Sequence, residues 1–336
     1  MRLGELRRDL RFTLGLVRRR PFSVLLQVTN RCNMKCDFCD FWPNGVSPKE
    51  ELSIEEYGRI EEQLAGIGAF LVSLEGGEPF VRPDLVEIVR TFGVRHLPVL
   101  YTNGWYVTPE NARELFDAGL ANVGVSIDYP DAERHDRRRA TPGAWEQAWR
   151  AVEALRDAAP HGGRQVHAIT VLMEDNAADL EGLLRQSEAR GVGHVVTLLS
   201  TWGFRRAPGA RMPAKGVSEP LLDLWTRYPH FRIFRDYLEG IDAFLSGGEI
   251  PTCRAGRQSF NIDHVGNVSV CIEMIGRPVG SVRSATLADL LEKMRNDTEV
   301  PSCQRCWTLC RGFAQTMGNG GSLAGWKDLG GRMRSW

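Results

Sequence analysis

Residues 23–39 read SVLLQVTNRCNMKCDFC, a short, apolar, β-branched run that breaks into a polar loop carrying three cysteines. A run of that length and composition is a strand buried on both faces. Much of the chain repeats this plan. Further strands are expected at 70–74, 96–101, 122–127, 166–172 and 194–199. Between them, 54–67, 83–92, 109–118, 144–158 and 177–190 carry apolar residues at helical spacing. Ser53, with Glu56 three positions on, forms a capping box, and Pro83 and Pro109 suit first-turn positions. Six consecutive βα units fall short of a closed eight-fold barrel, so they predict an α/β fold, a partial (β/α)6 barrel whose working loops follow its strands. The informative residues obey that rule: the cysteine loop follows the first strand, 75–79 the second, 102–104 the third and Asp128 the fourth.

With 336 residues and 43% hydrophobic content, the chain can bury a large core. Lys and Arg balance Asp and Glu at 42 each, so no overall field recruits nucleic acid. The first twenty residues are basic. Arg7, Arg8, Arg11, Arg18, Arg19 and Arg20 surround Leu10, Phe12, Leu14, Leu16 and Val17, the makings of an amphipathic helix that packs on the main domain; peripheral contact with an anionic surface is the alternative. Arg7-Arg8 is not followed by an apolar stretch long enough for export, and no run suits a membrane span, so a cytoplasmic protein is expected. The 203–220 segment, rich in Arg, Pro and Gly, reads as a loop or lid, with a bridging helical region after it. A hairpin at 260–270 turning near Gly266-Asn267, and a short helix at 287–294, suggest a small metal-stapled unit. The expected division is a basic helix over 1–22, the barrel over 23–235 and a second domain over 236–336.

Eight cysteines without a secretion signal stay reduced, and their clustering points to metal. Cys32, Cys36 and Cys39 share one tight loop, close enough to hold three irons of a cubane cluster. No local cysteine serves the fourth iron. An iron without a protein ligand is open to chelation by the amino and carboxylate groups of a small molecule. Zinc is the plainer alternative, but it closes with four ligands and the nearest histidine in sequence is His96, so it would need a distant partner.

The spacing of Cys32, Cys36 and Cys39 after a strand, with Phe38 before the last of them, resembles the CxxxCxxC signature of the radical SAM superfamily, over about residues 23–201. The resemblance implies a 4Fe-4S cluster on these three cysteines and reductive cleavage of S-adenosylmethionine to methionine and a 5′-deoxyadenosyl radical. It also implies a flavodoxin- or ferredoxin-like electron donor. Gly76-Gly77-Glu78-Pro79 matches the family's GGEP motif, which contacts the methionine amino group; alone, such a pair of glycines is more often just a turn. Phe38, Ser126 and Asp128 fall where the family binds its cosubstrate, the last two at the ribose; a strand-end turn with a capping Asp is the other reading. Arg139 best fits the arginine that pairs with the methionine carboxylate, Arg138 is a substitute, and a solvated helix start explains both otherwise. Asn103 can approach the same mouth, or form only an Asn-Gly turn.

Cys253, Cys271, Cys303, Cys306 and Cys310 all lie in the last quarter of the chain. With Gly266 and four residues between it and Cys271, they resemble the twitch, or shortened SPASM, extension, which holds an auxiliary 4Fe-4S cluster. A full SPASM domain has seven cysteines and two auxiliary clusters, so five imply one cluster, with Cys310 replacing a ligand or remaining free. Structural zinc is the rival here. Asp263, His264 and Glu273 are candidate bases that a solvated hairpin explains equally well. Trp42, Trp105, Trp202 and Trp307 suit a pocket or the core, and His161 and His167 read as structural.

The expected function is hydrogen abstraction from a substrate carbon, with the auxiliary cluster assisting oxidation or binding substrate. About thirty residues precede Cys32, too few for the leader-recognition domain of many peptide-modifying relatives, which favours a small-molecule, carbohydrate-like or lipid-linked substrate. A peptide maturase is the alternative. From another class comes a non-catalytic two-cluster electron carrier or zinc-stapled module, though neither needs GGEP at a barrel mouth.

Overall fold

The computed structural model describes residues 3–204, 209–318 and 325–328. Strands β1 (Ser23–Thr29), β2 (Leu71–Gly76), β3 (Leu97–Thr102), β4 (Asn122–Ser126), β5 (Val166–Leu172) and β6 (Gly193–Leu198) pair in parallel, in sequence order. The sheet continues past β1. There β7 (Ser259–Ile262) lies parallel to β1, with Ser23 opposite Ser259, and β8 (Asn267–Ser269) and β9 (Gly280–Ser281) follow antiparallel. Among the described residues one sheet of nine strands thus runs β6-β5-β4-β3-β2-β1-β7-β8-β9. The hairpin of the last quarter is its far edge, turning at Gly266, whose φ is +91°.

The helices are α1 (Leu3–Val17), α2 (Ile54–Ile67), α3 (Leu85–Gly93), α4 (Pro109–Asp117), α5 (Ala132–Arg138), α6 (Ala144–Ala158), α7 (Leu180–Ala189), α8 (Ser218–Arg227), α9 (Arg235–Leu245), α10 (Leu287–Arg295) and α11 (Leu309–Gly318). The capping box fixes the start of α2: Ser53 N donates to Glu56 Oε2 at 2.8 Å while Ser53 Oγ accepts from Glu56 N, worth about 1 kcal/mol. Pro109 opens α4 as expected. Pro83 does not open α3, which begins at Leu85 behind Asp84; that carboxylate is held by Arg82 at 2.6 Å instead of capping the helix. The 177–190 segment starts with a 3-10 turn before α7, and the arginines 137–139, with a helix start as their alternative reading, instead end α5.

Helix α1 packs on the barrel through buried Phe12 and Leu16, Phe12 meeting Phe22 edge-on. Its arginines have a positional logic. Arg11 Nη2 donates to Ala65 O at 2.7 Å and Arg8 Nη1 to Gly93 O at 3.4 Å, the unpaired last-turn carbonyls of α2 and α3, where the helix dipole favours a cation. Leu10, Leu14 and Val17 are exposed. Among the described residues no helix is long and apolar enough to cross a membrane.

Alternate residues of each barrel strand face outward to the helices or inward to a lumen. Helix α11 fills the side of the lumen between β1 and β6. Leu309 N donates to Thr197 Oγ1 at 3.1 Å, and Phe313 meets Phe22. Trp307, just ahead of α11, stacks on Tyr237 of α9 and donates its indole N–H to Tyr237 O at 2.9 Å; Gly240 leaves the indole its space. Part of the 203–220 segment, residues 205–208, lies outside the described residues, and its expected end is already helix from Ser218.

Candidate active site and thiol centres

The loop after β1 is clamped at its base. Arg31 donates to both oxygens of buried Glu51, at 3.0 and 2.9 Å, and Thr29 Oγ1 donates to the same carboxylate. Further along, Cys39 N donates to Cys36 O at 3.3 Å and Asp37 N to Arg138 O at 3.1 Å, so the last two cysteines lie on one turn docked against α5. The glycines of 75–79 serve this docking. Gly77 N donates to Thr29 O at 2.7 Å, and Glu78 N to Arg31 O at 2.9 Å. A Cβ on Gly76 would stand 2.0 Å from Thr29 O, and one on Gly77 2.2 Å from Arg31 O. The missing side chains let this turn pack on the chain's own backbone while it lines the cavity shared with the three cysteines.

Cys32, Cys36 and Cys39 line a cavity of about 180 Å³ together with Gly76, Gly77, Asn103, Ser126 and Arg139. Burial pushes the Cys32 thiol up to about 11 and that of Cys36 to about 12, with the Arg139 guanidinium opposing both shifts. Protonated, they are poor ligands, so cation binding has to displace their protons. Among the described residues no three His, Cys, Asp or Glu side chains converge as they would on one ion. Three thiols spread around a shared cavity instead fit a polynuclear cluster, and the remaining wall sets glycine backbone, Asn103, Glu75 and Arg139 among apolar and aromatic side chains.

Arg139 caps α5 and is buried. Its Nη2 and Nε donate to Asp128 Oδ2 at 2.6 and 3.1 Å, and its guanidinium lies 5.6 Å from the centre of the Phe38 ring. Asp128 does not line the cavity: Arg139 engages one oxygen, and Val171 N donates to the other at 2.9 Å. It holds the arginine. Arg138 points elsewhere, to Asp37 at 3.3 Å. Glu78 and Pro79 also lie behind the cavity wall. Glu78 accepts from Thr102 Oγ1 and Asn103 N, both at 2.7 Å, tying the ends of β2 and β3; burial raises its carboxyl to about 7. Asn103 carries the link on to the cysteine loop, donating to Asn33 Oδ1 at 2.8 Å.

All five C-terminal cysteines line a second cavity, of about 40 Å³. They arrive from separate segments: Cys253 precedes β7, Cys271 follows β8, and Cys303, Cys306 and Cys310 lead into α11. Arg311 gathers them, donating to Pro251 O at 2.7 Å, Cys303 O at 2.9 Å and Cys306 O at 3.1 Å. Burial pushes Cys306 up to about 12, and raises Cys253 and Cys271. Cys310 alone of the five also lines the barrel lumen.

Glu273 and Trp202 line the C-terminal cavity and Trp42 the first, whereas Trp307 is core. Asp263 accepts from Val265 N and Asn267 N in the hairpin turn, and both it and His264 are buried, not solvated. His167, read as structural, lines the lumen with Glu75, Tyr101 and Ser126. The sequence marks it only as a polar residue in an apolar strand, without the face it takes.

Residues 26–186 match the family described as the Radical SAM superfamily. The chain is 30% identical over 298 residues to the AdoMet-dependent heme synthase of Nitratidesulfovibrio vulgaris, covering 80% of this chain and 78% of that protein. It is 30% identical over 258 residues to mycofactocin maturase MftC of Mycobacterium tuberculosis, covering 75% of this chain and 64% of that protein. The structure of Streptococcus suis SuiB bound to precursor peptide SuiA superposes with a TM-score of 0.64 over 90% of this chain and 74% of that one, at 14% identity, a likeness of fold.

Proposed function

This chain belongs to the radical SAM superfamily, and from that premise we propose that it cleaves S-adenosylmethionine reductively at the first cysteine cavity and takes hydrogen from a carbon of a small, hydroxyl-bearing substrate. Bound there, a 4Fe-4S cluster supplies the electron and S-adenosylmethionine the 5′-deoxyadenosyl radical. The observation that carries the reading is the wall opposite the three thiols: the Gly76-Gly77 turn, Asn103, and Arg139 braced by Asp128. Arg139 orients the methionine carboxylate, a planar guanidinium against a planar anion. Phe38 covers that guanidinium and limits water around it. Ser126, lining both cavity and lumen, holds the ribose end toward the substrate.

Five thiols around one cavity suit an auxiliary 4Fe-4S cluster, with Cys253, Cys271, Cys303 and Cys306 as ligands. Cys310 then faces the substrate chamber. A peptide substrate is the second reading, favoured by the 30% identity to a mycofactocin maturase; a lumen of about 210 Å³ would then admit one side chain.

The test is anaerobic reconstitution with iron and sulfide, reduction with dithionite, and chromatography for 5′-deoxyadenosine. We expect product and about eight irons per chain, one 4Fe-4S complement for each proposed site. No product from an iron-loaded wild type refutes the reading; zinc at the C-terminal site refutes the auxiliary cluster.

A further inference from the structure

The lumen wall is mostly apolar, and apart from Ser126 the polar groups set into it are ones the proposed chemistry has not used. Tyr101, Gly124, His167 and Gly193 stand in one row across β3, β4, β5 and β6. A Cβ on Gly124 would meet His167 Nε2 at 2.7 Å and Tyr101 Cδ1 at 2.9 Å, so the missing side chain is what lets both rings lean into the lumen, edge to face at 6.2 Å. Gly193 likewise yields its place to Arg232, where a Cβ would stand 2.7 Å from Cδ. Two glycines in one row thus make room for large polar groups inside a barrel.

His167 is 2% exposed, and neither its ring nitrogens nor the hydroxyls of Tyr101, Ser23, Ser73 and Ser126 hydrogen-bond to any described residue. These groups open onto one cavity, and a cluster of unpaired polar groups facing one cavity is a place for a ligand or for water that a ligand displaces. The charges lining the chamber, Glu75 and Arg232, are opposite and equal in number, so no single ionic sign is selected. Burial, reinforced by Arg232 and His194, lowers His167 to about 3. The imidazole is therefore neutral, one donor and one acceptor, the complement of a hydroxyl.

We propose that the lumen binds an uncharged cyclic polyol of about one ring, its hydroxyl groups taken by His167, Tyr101, Ser23 and Ser73, its carbon face resting on Leu25, Ile169 and Val171. The volume of about 210 Å³ suits one small ring. The inference rests on the small-molecule reading above and gives that substrate its chemical class.

The test uses the anaerobically reconstituted holoprotein with S-adenosylmethionine and no reductant. Isothermal titration calorimetry with myo-inositol and methyl glucoside, against cyclohexanol and hexanoate, reads saturable binding, because polyols raise melting temperatures non-specifically by exclusion. A cyclic polyol should bind, at least tenfold more tightly than cyclohexanol or hexanoate. His167→Phe, which keeps a ring in place, should weaken it at least tenfold. Ser73→Ala, a one-atom truncation on β2, should weaken it about threefold. Absence of saturable polyol binding, tighter binding of hexanoate, or unchanged binding by both variants overturns the inference. 5′-Deoxyadenosine from the wild type, measured separately, keeps the two failures apart: product without polyol binding sinks only the polyol, and binding without product sinks only the proposed cleavage.

Discussion

The two thiol sites of this protein are built in opposite ways. Cys32, Cys36 and Cys39 lie within eight residues of one loop, held by β-strand ends, and share their larger cavity with glycine backbone and an arginine. The five C-terminal thiols come from three stretches of chain, are drawn together by Arg311, and crowd a cavity of about 40 Å³ against about 180 Å³ at the first. A site short of protein ligands keeps room for a cosubstrate; a site with thiols to spare closes on itself. The difference implies open chemistry at the barrel mouth and a closed centre beside the lumen.

The largest effect should come from Cys36→Ala, which should abolish 5′-deoxyadenosine by chromatography and remove about half the iron. Loss of all iron would mean that the two sites are not independent. Gly77→Ala probes the same loop through its scaffold. Its methyl would meet Arg31 O at 2.2 Å, so the turn must part from the cysteine loop, and product should fall at least a hundredfold with the C-terminal iron retained.

Arg311→Met tests the other side. It strips three backbone carbonyls of a charged donor, which at about 1 kcal/mol or more each predicts a loss of about 3 kcal/mol in denaturant unfolding. The C-terminal site should lose iron while the first keeps it. The smallest effect concerns the scaffold shared by both. His194 is buried and neutral between Thr170 Oγ1 at 3.0 Å and Ser187 Oγ at 2.9 Å, and burial lowers it to about 3. Below its unfolded value of about 6.5 the unfolded chain binds the proton that the folded one refuses, so stability falls as pH drops from about 6.5 toward 3. His194→Gln should flatten that slope by one proton in urea titrations across the range.

Much of this was legible in the sequence because it is local. Four elements match their expected limits to the residue, β1, β5, α6 and α2, the last because Ser53 and Glu56 cap it as a pair. The three-cysteine loop and the turn at 75–79 needed only their spacing after successive strands. What was not legible depends on distant partners. Helix α5 was hidden under its charges, because only the fold shows Arg139 turned inward to Asp128 while Arg137 stays out. Pro83 read as a helix start until Arg82 took the capping carboxylate. His167 reads as structural along the chain; its purpose appears only when Gly124, on the next strand, leaves it space. That β7 extends the barrel sheet from 236 residues beyond its partner's first residue is likewise outside any local signal.

The contrast between an open and a closed site is tested most directly by electron paramagnetic resonance of two reduced, reconstituted variants, Cys36→Ala and Cys271→Ala, each with and without S-adenosylmethionine. The account predicts that the cosubstrate shifts the cluster signal in Cys271→Ala, where the first site remains, and leaves that of Cys36→Ala unchanged. A shift in Cys36→Ala, or none in Cys271→Ala, would contradict it.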